Sequence, residues 1–125
     1  MSEARAFFQA YGDAFTQGPA AIAAFYGEPC ITARAGSIRL NATRRDAEAF
    51  FASVDRTYRE RGFRKAEMLS FIEQSVGRNS AIATVHWAYQ DENGKTLWES
   101  TFTYNLYRFD GTWKILLLTM HDHAA

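Results

Sequence analysis

The 125-residue sequence carries 14 Lys and Arg residues against 14 Asp and Glu residues, and 47% of its residues are hydrophobic. Zero net charge without a block of like charge argues against nucleic acid or a membrane surface as partner. The single cysteine, Cys30, excludes an internal disulfide and the first residues lack a signal-peptide pattern, so we expect one cytoplasmic domain over residues 1–125.

Helical periodicity is confined to the first half of the chain. Apolar residues at spacings of three and four, with capping residues before them and glycine after them, predict three amphipathic helices. The predicted helices run over 3–17 after Ser2, over 19–27 from Pro19, and over 43–62 from Thr43. Each helix presents one apolar face, so the helices are expected to cover a sheet.

Strand patterns dominate the second half of the chain. Segments rich in β-branched and aromatic residues predict strands over 29–35, 37–41, 63–76, 81–89, 96–107 and 113–121. Asn93-Gly94 and Asp110-Gly111 are typical hairpin turns, which makes the last strands antiparallel. Helices followed by strands favour an α+β fold, in which a curved antiparallel sheet is covered on one face by the three helices.

This order of elements resembles the nuclear transport factor 2-like superfamily. The Gln17-Gly18 break, the Phe25-Tyr26 end of the second helix and the closing segment 107–115, YRFDGTWKI, carry the resemblance. The superfamily includes SnoaL-like polyketide cyclases, ketosteroid isomerase and scytalone dehydratase. The resemblance implies a cone-shaped fold with a ligand cavity beneath the helices, and a homodimer formed through the outer face of the sheet.

Both faces of the sheet are expected to be covered, because the last strands are apolar on both sides. The resemblance to ketosteroid isomerase implies that one face lines the cavity, with ligand contacts at Trp87, Tyr89, Glu99, Thr101, Thr103, Leu118 and Met120. The other face is rich in aromatic residues. It is assigned to the dimer interface, through Trp98, Phe102, Tyr104, Trp113 and Ile115.

The resemblance to ketosteroid isomerase also implies which residues could act on a ligand. Tyr11 and Asn105 fall near the two hydrogen-bond donors of the isomerase, and Arg34 falls where its base is expected. Arg34 keeps its proton and cannot act as a base, so Asp122 is the candidate base. Arg34 could pair with Glu99 or Asp122, or bind an anionic ligand group; of these we favour an ion pair.

Two weaker signals concern histidine. His121-Asp122-His123 is not expected to bind a metal, because neighbouring side chains of a strand point to opposite faces. His86, in the middle of a strand, is expected to be packed rather than catalytic unless an acid lies within reach. We therefore predict no metal and no cofactor.

Two functions are compatible with these patterns. The first is a SnoaL-like domain that binds a small apolar or aromatic molecule and, if it is an enzyme, catalyses isomerisation, cyclisation or dehydration through Tyr11, Asn105 and Asp122. The alternative is a non-catalytic dimerisation or protein-association module whose cavity is filled core.

Overall fold

The computed structural model describes residues 2–122, which form three helices on one face of a curved, six-stranded sheet. The helices are α1 (Glu3–Ala14), α2 (Pro19–Ala23) and α3 (Arg44–Glu60), and the strands are β1 (Tyr26–Arg34), β2 (Ser37–Asn41), β3 (Lys65–Ser75), β4 (Ser80–Gln90), β5 (Thr96–Phe109) and β6 (Thr112–Met120). The predicted α+β class is confirmed. None of the helices in this range is long and apolar enough to cross a membrane.

The sheet is mixed rather than wholly antiparallel. Its strand order is β2-β1-β6-β5-β4-β3, and every neighbouring pair is antiparallel except β1 and β6. Tyr26 pairs with Ile115 and Thr32 with Leu118 in the parallel register. The prediction of an antiparallel sheet is wrong at this pair. The connection from β1 to β6 spans most of the chain, which is long enough for β6 to return parallel to β1.

Side-chain caps start the two longer helices where the sequence predicted. The Ser2 hydroxyl accepts a hydrogen bond from the Arg5 amide at 3.0 Å, and the Thr43 hydroxyl accepts one from the Asp46 amide at 3.2 Å. Each cap satisfies an amide that has no partner within its helix. The short helix α2 ends earlier than predicted, because Tyr26 already belongs to β1.

A cluster of aromatic side chains fills the space between the helices and the inner face of the sheet, which is the face toward the helices. Phe8, Tyr11, Phe51 and Tyr104 are among its fully buried members. Helix α1 approaches β4 closely because Gly12 has no side chain: a Cβ atom there would lie 2.9 Å from Trp87 Cζ3. None of the three helices described within residues 2–122 lies on the outer face of the sheet.

Candidate ligand site

A small cavity lies between the inner face of the sheet and the helices. It is lined by Tyr11, Phe15, Arg34, Phe51, Val54, Tyr58, Ala66, Trp87, Tyr89, Phe102, Tyr104 and Leu118. Its volume is about 10 Å³, enough for one water molecule. The predicted residues Tyr11, Arg34, Trp87, Tyr89 and Leu118 therefore do meet around one space, but their own side chains fill almost all of it.

Polar groups in the cavity wall and directly behind it are hydrogen-bonded to one another. The hydroxyls of Tyr11 and Tyr26 lie 2.6 Å apart, and Trp87 Nε1 donates to the Tyr104 hydroxyl at 2.9 Å. Burial, as the main cause, raises the pKa well above the ordinary value of 10.0 for Tyr11, Tyr26, Tyr89 and Tyr104. These phenols are consequently neutral at physiological pH and act as hydrogen-bonding groups.

Arg34 brings a positive charge to the edge of this aromatic wall. Its Nη2 donates to the Tyr58 hydroxyl at 3.2 Å. Burial lowers the pKa of Arg34, but the charge interaction and hydrogen bond with Tyr58 contribute to a net rise, so the guanidinium keeps its proton. The favoured ion pair with Glu99 or Asp122 is wrong, since the ion pairs found among residues 2–122 do not include Arg34.

An open groove, here called the α3 groove, lies between α3 and the β1–β2 hairpin. It has a volume of about 500 Å³ and is lined by Thr32, Arg34, Ser37, Ile38, Arg39, Leu40, Phe50 and Val54. Arg34 and Val54 also line the aromatic cavity. These two side chains are therefore the boundary between the filled cavity and the open groove.

Sequence reasoning missed most of the α3 groove. Thr32 and Arg34 are two apart on β1 and share a face, while Phe50 and Val54 are four apart on α3 and share another. These spacings are visible in the sequence. What the sequence lacks is the pairing of Thr32 with Arg39 across the β1–β2 hairpin, which completes the floor of the groove.

The predicted faces of β5 are inverted. Its buried residues are Ser100, Phe102, Tyr104 and Leu106, so the predicted cavity residues Glu99, Thr101, Thr103 and Asn105 lie on the outer face. Trp87 of β4 pairs with Ser100, which places the even-numbered residues of this part of β5 on the inner face. Burying rings under the helices while carboxylate, amide and hydroxyl groups stay at the outer surface avoids the cost of burying those polar groups.

The five residues predicted for the dimer interface lie on the helix side of the sheet: Trp98, Phe102, Tyr104, Trp113 and Ile115. Phe102, Tyr104 and Ile115 are buried in the core. Trp98 stacks on Tyr89 with ring centroids 5.0 Å apart, and Trp113 Nε1 donates to Glu3 of α1 at 3.3 Å. The prediction of these residues for an outer interface is therefore wrong. The alternation is inverted in β5, and in β6 a register shift opposite Asn105 and Leu106 pairs Ile115 with the buried Leu106.

The predicted catalytic residues do not converge. Tyr11 lines the cavity, Asn105 lies on the outer face, and Asp122 is exposed after β6, where it shares a shallow groove with Arg34 and Met120. No carboxylate lines the aromatic cavity within the described part of the chain. The cavity thus lacks a base for proton abstraction. His123 lies outside the described residues.

The outer face holds a hydrogen-bonded network that the sequence did not predict. His86 Nε2 lies 2.5 Å from Glu99 Oε1, and His86 Nδ1 lies 2.6 Å from the Thr101 hydroxyl. Beside it, the Thr103 hydroxyl lies 2.7 Å from His121 Nε2. An acid, Glu99, is therefore within reach of His86, which was the condition for a catalytic role. These groups, however, hydrogen-bond to one another across neighbouring strands, on the side of the sheet away from the cavity.

Comparisons with known proteins agree with this architecture. The family model described as NTF2-like protein (DUF6841) matches residues 2–123. No curated protein sequence matches the chain.

Several solved structures share the fold. A putative calcium/calmodulin dependent protein kinase II association domain from Xanthomonas campestris has a TM-score of 0.72 at 18% identity, covering 98% of this chain and 88% of that chain. A protein of unknown function with a cystatin-like fold from Nostoc punctiforme has a TM-score of 0.78 at 12% identity, covering 94% and 86%. An NTF2-like protein with a cystatin-like fold from Novosphingobium aromaticivorans has a TM-score of 0.74 at 18% identity, covering 98% and 82%. At these identities the likeness shows the fold alone.

Proposed function

The chain belongs to the NTF2-like family DUF6841, and from that membership we propose that it is a SnoaL-like binding domain for a small apolar or aromatic molecule. The observation that carries the proposal is the shared boundary of Arg34 and Val54 between the aromatic cavity and the α3 groove. The cavity alone, at about 10 Å³, is too small for such a ligand. The α3 groove supplies the room, and the aromatic wall lies directly behind it.

The walls of the α3 groove suit an apolar ligand body. Phe50 and Val54 of α3 form the apolar wall of the groove and face the hairpin residues Thr32 and Arg39. An apolar ring placed against Phe50 and Val54 removes apolar surface from water, which stabilises the complex by about 25 cal/mol for each Å² buried. We assign binding rather than proton transfer, because the aromatic cavity has no carboxylate within residues 2–122.

A neutral aromatic probe tests this proposal. We expect naphthamide to raise the melting temperature, since a ligand at a hundred times its dissociation constant adds about 2.7 kcal/mol to the free energy of unfolding. The variant Val54→Trp should fill the groove and abolish the shift. Val76→Trp is the matched control, because exposed Val76 directly follows β3, outside the groove, and should leave the shift intact. Equal shifts in both variants would place the probe elsewhere.

A second candidate function is self-association through the outer face of the sheet. Ile38 is 80% exposed and Leu40 is 62% exposed, and both lie on the outer side of the hairpin beside Ile31. Exposed apolar patches of this kind mark interaction surfaces. We propose a second copy of the chain as the partner, because zero net charge removes a source of repulsion between copies. The structure from Xanthomonas campestris described as an association domain also favours this candidate.

Sedimentation velocity tests the self-association. We expect a dimer for the parent protein and a folded monomer for the double variant Ile38→Glu, Leu40→Glu, because two charges would have to be buried without partners. Leu97→Glu is the control, since Leu97 is exposed on β5 away from the hairpin and its charge should leave the dimer intact. A parent protein that sediments as a monomer at high concentration would contradict this candidate.

A further inference from the structure

The α3 groove combines apolar walls with unpaired positive charge. Arg34 and Arg39 both line it, and neither takes part in an ion pair found among residues 2–122. The recorded hydrogen bonds of each guanidinium use one N–H group: Arg34 donates to the Tyr58 hydroxyl, and Arg39 Nε donates to Asn41 Oδ1 at 2.9 Å. Most of the five N–H donors of each side chain therefore remain available. Within the described part of the chain, the residues lining the groove include no Asp or Glu.

A buried hydroxyl in the same groove has no partner. Thr32 is 1% exposed, and its Oγ1 makes no hydrogen bond in the structure of residues 2–122. Buried hydroxyls are nearly always hydrogen-bonded, so an isolated one calls for an explanation. Thr32 pairs directly with Arg39 and lies two residues before Arg34, so the hydroxyl and both guanidinium side chains belong to the same face of the hairpin.

We propose that the α3 groove binds an aromatic or branched aliphatic carboxylic acid, with the carboxylate held by Arg34, Arg39 and the Thr32 hydroxyl. This inference rests on the proposed function and adds the chemical class of the ligand. Guanidinium groups match the planar geometry of a carboxylate and bind it through paired N–H donors. The apolar part of the acid lies against Val54 and beside Phe50, whose ring centroid is 5.4 Å from the Arg39 guanidinium carbon.

Calorimetric titration of the intact protein with naphthoate and naphthamide tests the proposal at fixed ionic strength. Both probes carry the same ring system, and only naphthoate carries a charge. We expect naphthoate to bind at least about tenfold more tightly than naphthamide. Hydrogen bonds to charged groups are stronger than hydrogen bonds to neutral groups, and the difference corresponds to about this change in the dissociation constant. Arg34→Met should remove that preference while naphthamide still binds. Arg78→Met, which removes the same charge from an exposed turn residue, should leave the preference unchanged.

The Thr32→Val variant separates ligand binding from a purely structural role. Valine keeps the shape of threonine and removes the unpaired hydroxyl, so the ligand-free melting temperature should rise while naphthoate binds several-fold more weakly. A structural role would lower the melting temperature without weakening naphthoate relative to naphthamide, which would overturn the assignment of Thr32.

Three further outcomes of the titrations would overturn the carboxylate class, or the proposed function with it. Equal affinity for naphthoate and naphthamide overturns the carboxylate class while the proposed function stands. Failure of both probes to bind overturns the proposed function and this inference together. Tighter binding of inorganic phosphate than of naphthoate also overturns the carboxylate assignment, because the apolar walls would then contribute nothing.

Discussion

Raising the pH above 10.0 is expected to unfold the protein steeply. Burial raises the pKa of Tyr11, Tyr26, Tyr89 and Tyr104 well above 10.0, the value that unfolded tyrosine has. Below pH 10.0 these phenols are protonated in both states, so their contribution to stability is fully present. Above it, the unfolded state releases protons that the folded state retains. Four such groups lower the free energy of unfolding by up to about 5 kcal/mol for each further pH unit.

The absorbance of tyrosinate and the far-ultraviolet circular dichroism, followed together against pH, measure this effect. We expect ionisation of the buried phenols to coincide with loss of secondary structure. The variant Tyr104→Phe should reduce the slope by about 1.4 kcal/mol for each pH unit, the contribution of one phenol. A full rise in tyrosinate absorbance while the circular dichroism stays unchanged would contradict the expectation, since the buried phenols would then ionise in the folded protein.

Replacing Trp87 by alanine is expected to lower the free energy of unfolding by about 3–5 kcal/mol. Trp87 is 3% exposed, lies against Gly12 of α1 and donates its indole N–H to Tyr104. The substitution leaves a cavity between α1 and β4 and removes the partner of a buried hydroxyl. The free energy of unfolding of a single domain is about 5–15 kcal/mol, so this loss is a large part of the total stability.

Urea denaturation measures this loss, with the other two tryptophans as controls. Trp98 and Trp113 are half-buried, so Trp98→Ala and Trp113→Ala should cost less than Trp87→Ala. Free indole should partly restore the melting temperature of Trp87→Ala by occupying the cavity, as apolar molecules enter dry apolar cavities in other proteins. Equal losses in all three variants would contradict the central position that we give to Trp87.

The features that the sequence predicted well depend on neighbouring residues. Ser2 and Thr43 cap helices within three residues of themselves, and the Asp110-Gly111 turn adopts φ values of 48° and 79° as a tight hairpin requires. Such signals are local, so the chain carries them without reference to the fold. The parallel pairing of β1 with β6 joins residues about ninety positions apart, and no local pattern indicates it.

The faces of β5 show why the predicted site was only partly correct. The register between β4 and β5 shifts between Tyr89 and Gln90, close to the connecting turn. In a strand, a change of one residue moves every side chain to the opposite face. The resemblance to ketosteroid isomerase had placed Thr101 and Asn105 on the cavity face, where the structure has Phe102 and Tyr104. The alternation of rings and polar groups within β5 was the better guide to its buried face.

The position of β6 has a consequence for how the chain folds during synthesis. Because β6 lies between β1 and β5, the two parts of the sheet cannot pair into one until residues up to Met120 have left the ribosome. Until then the nascent protein consists of the β1–β2 hairpin and the β3–β5 meander, with unpaired edges at β1 and β5. Exposed edges of this kind attract other strands. We therefore expect the unfinished chain to depend on chaperones until its sixth strand arrives.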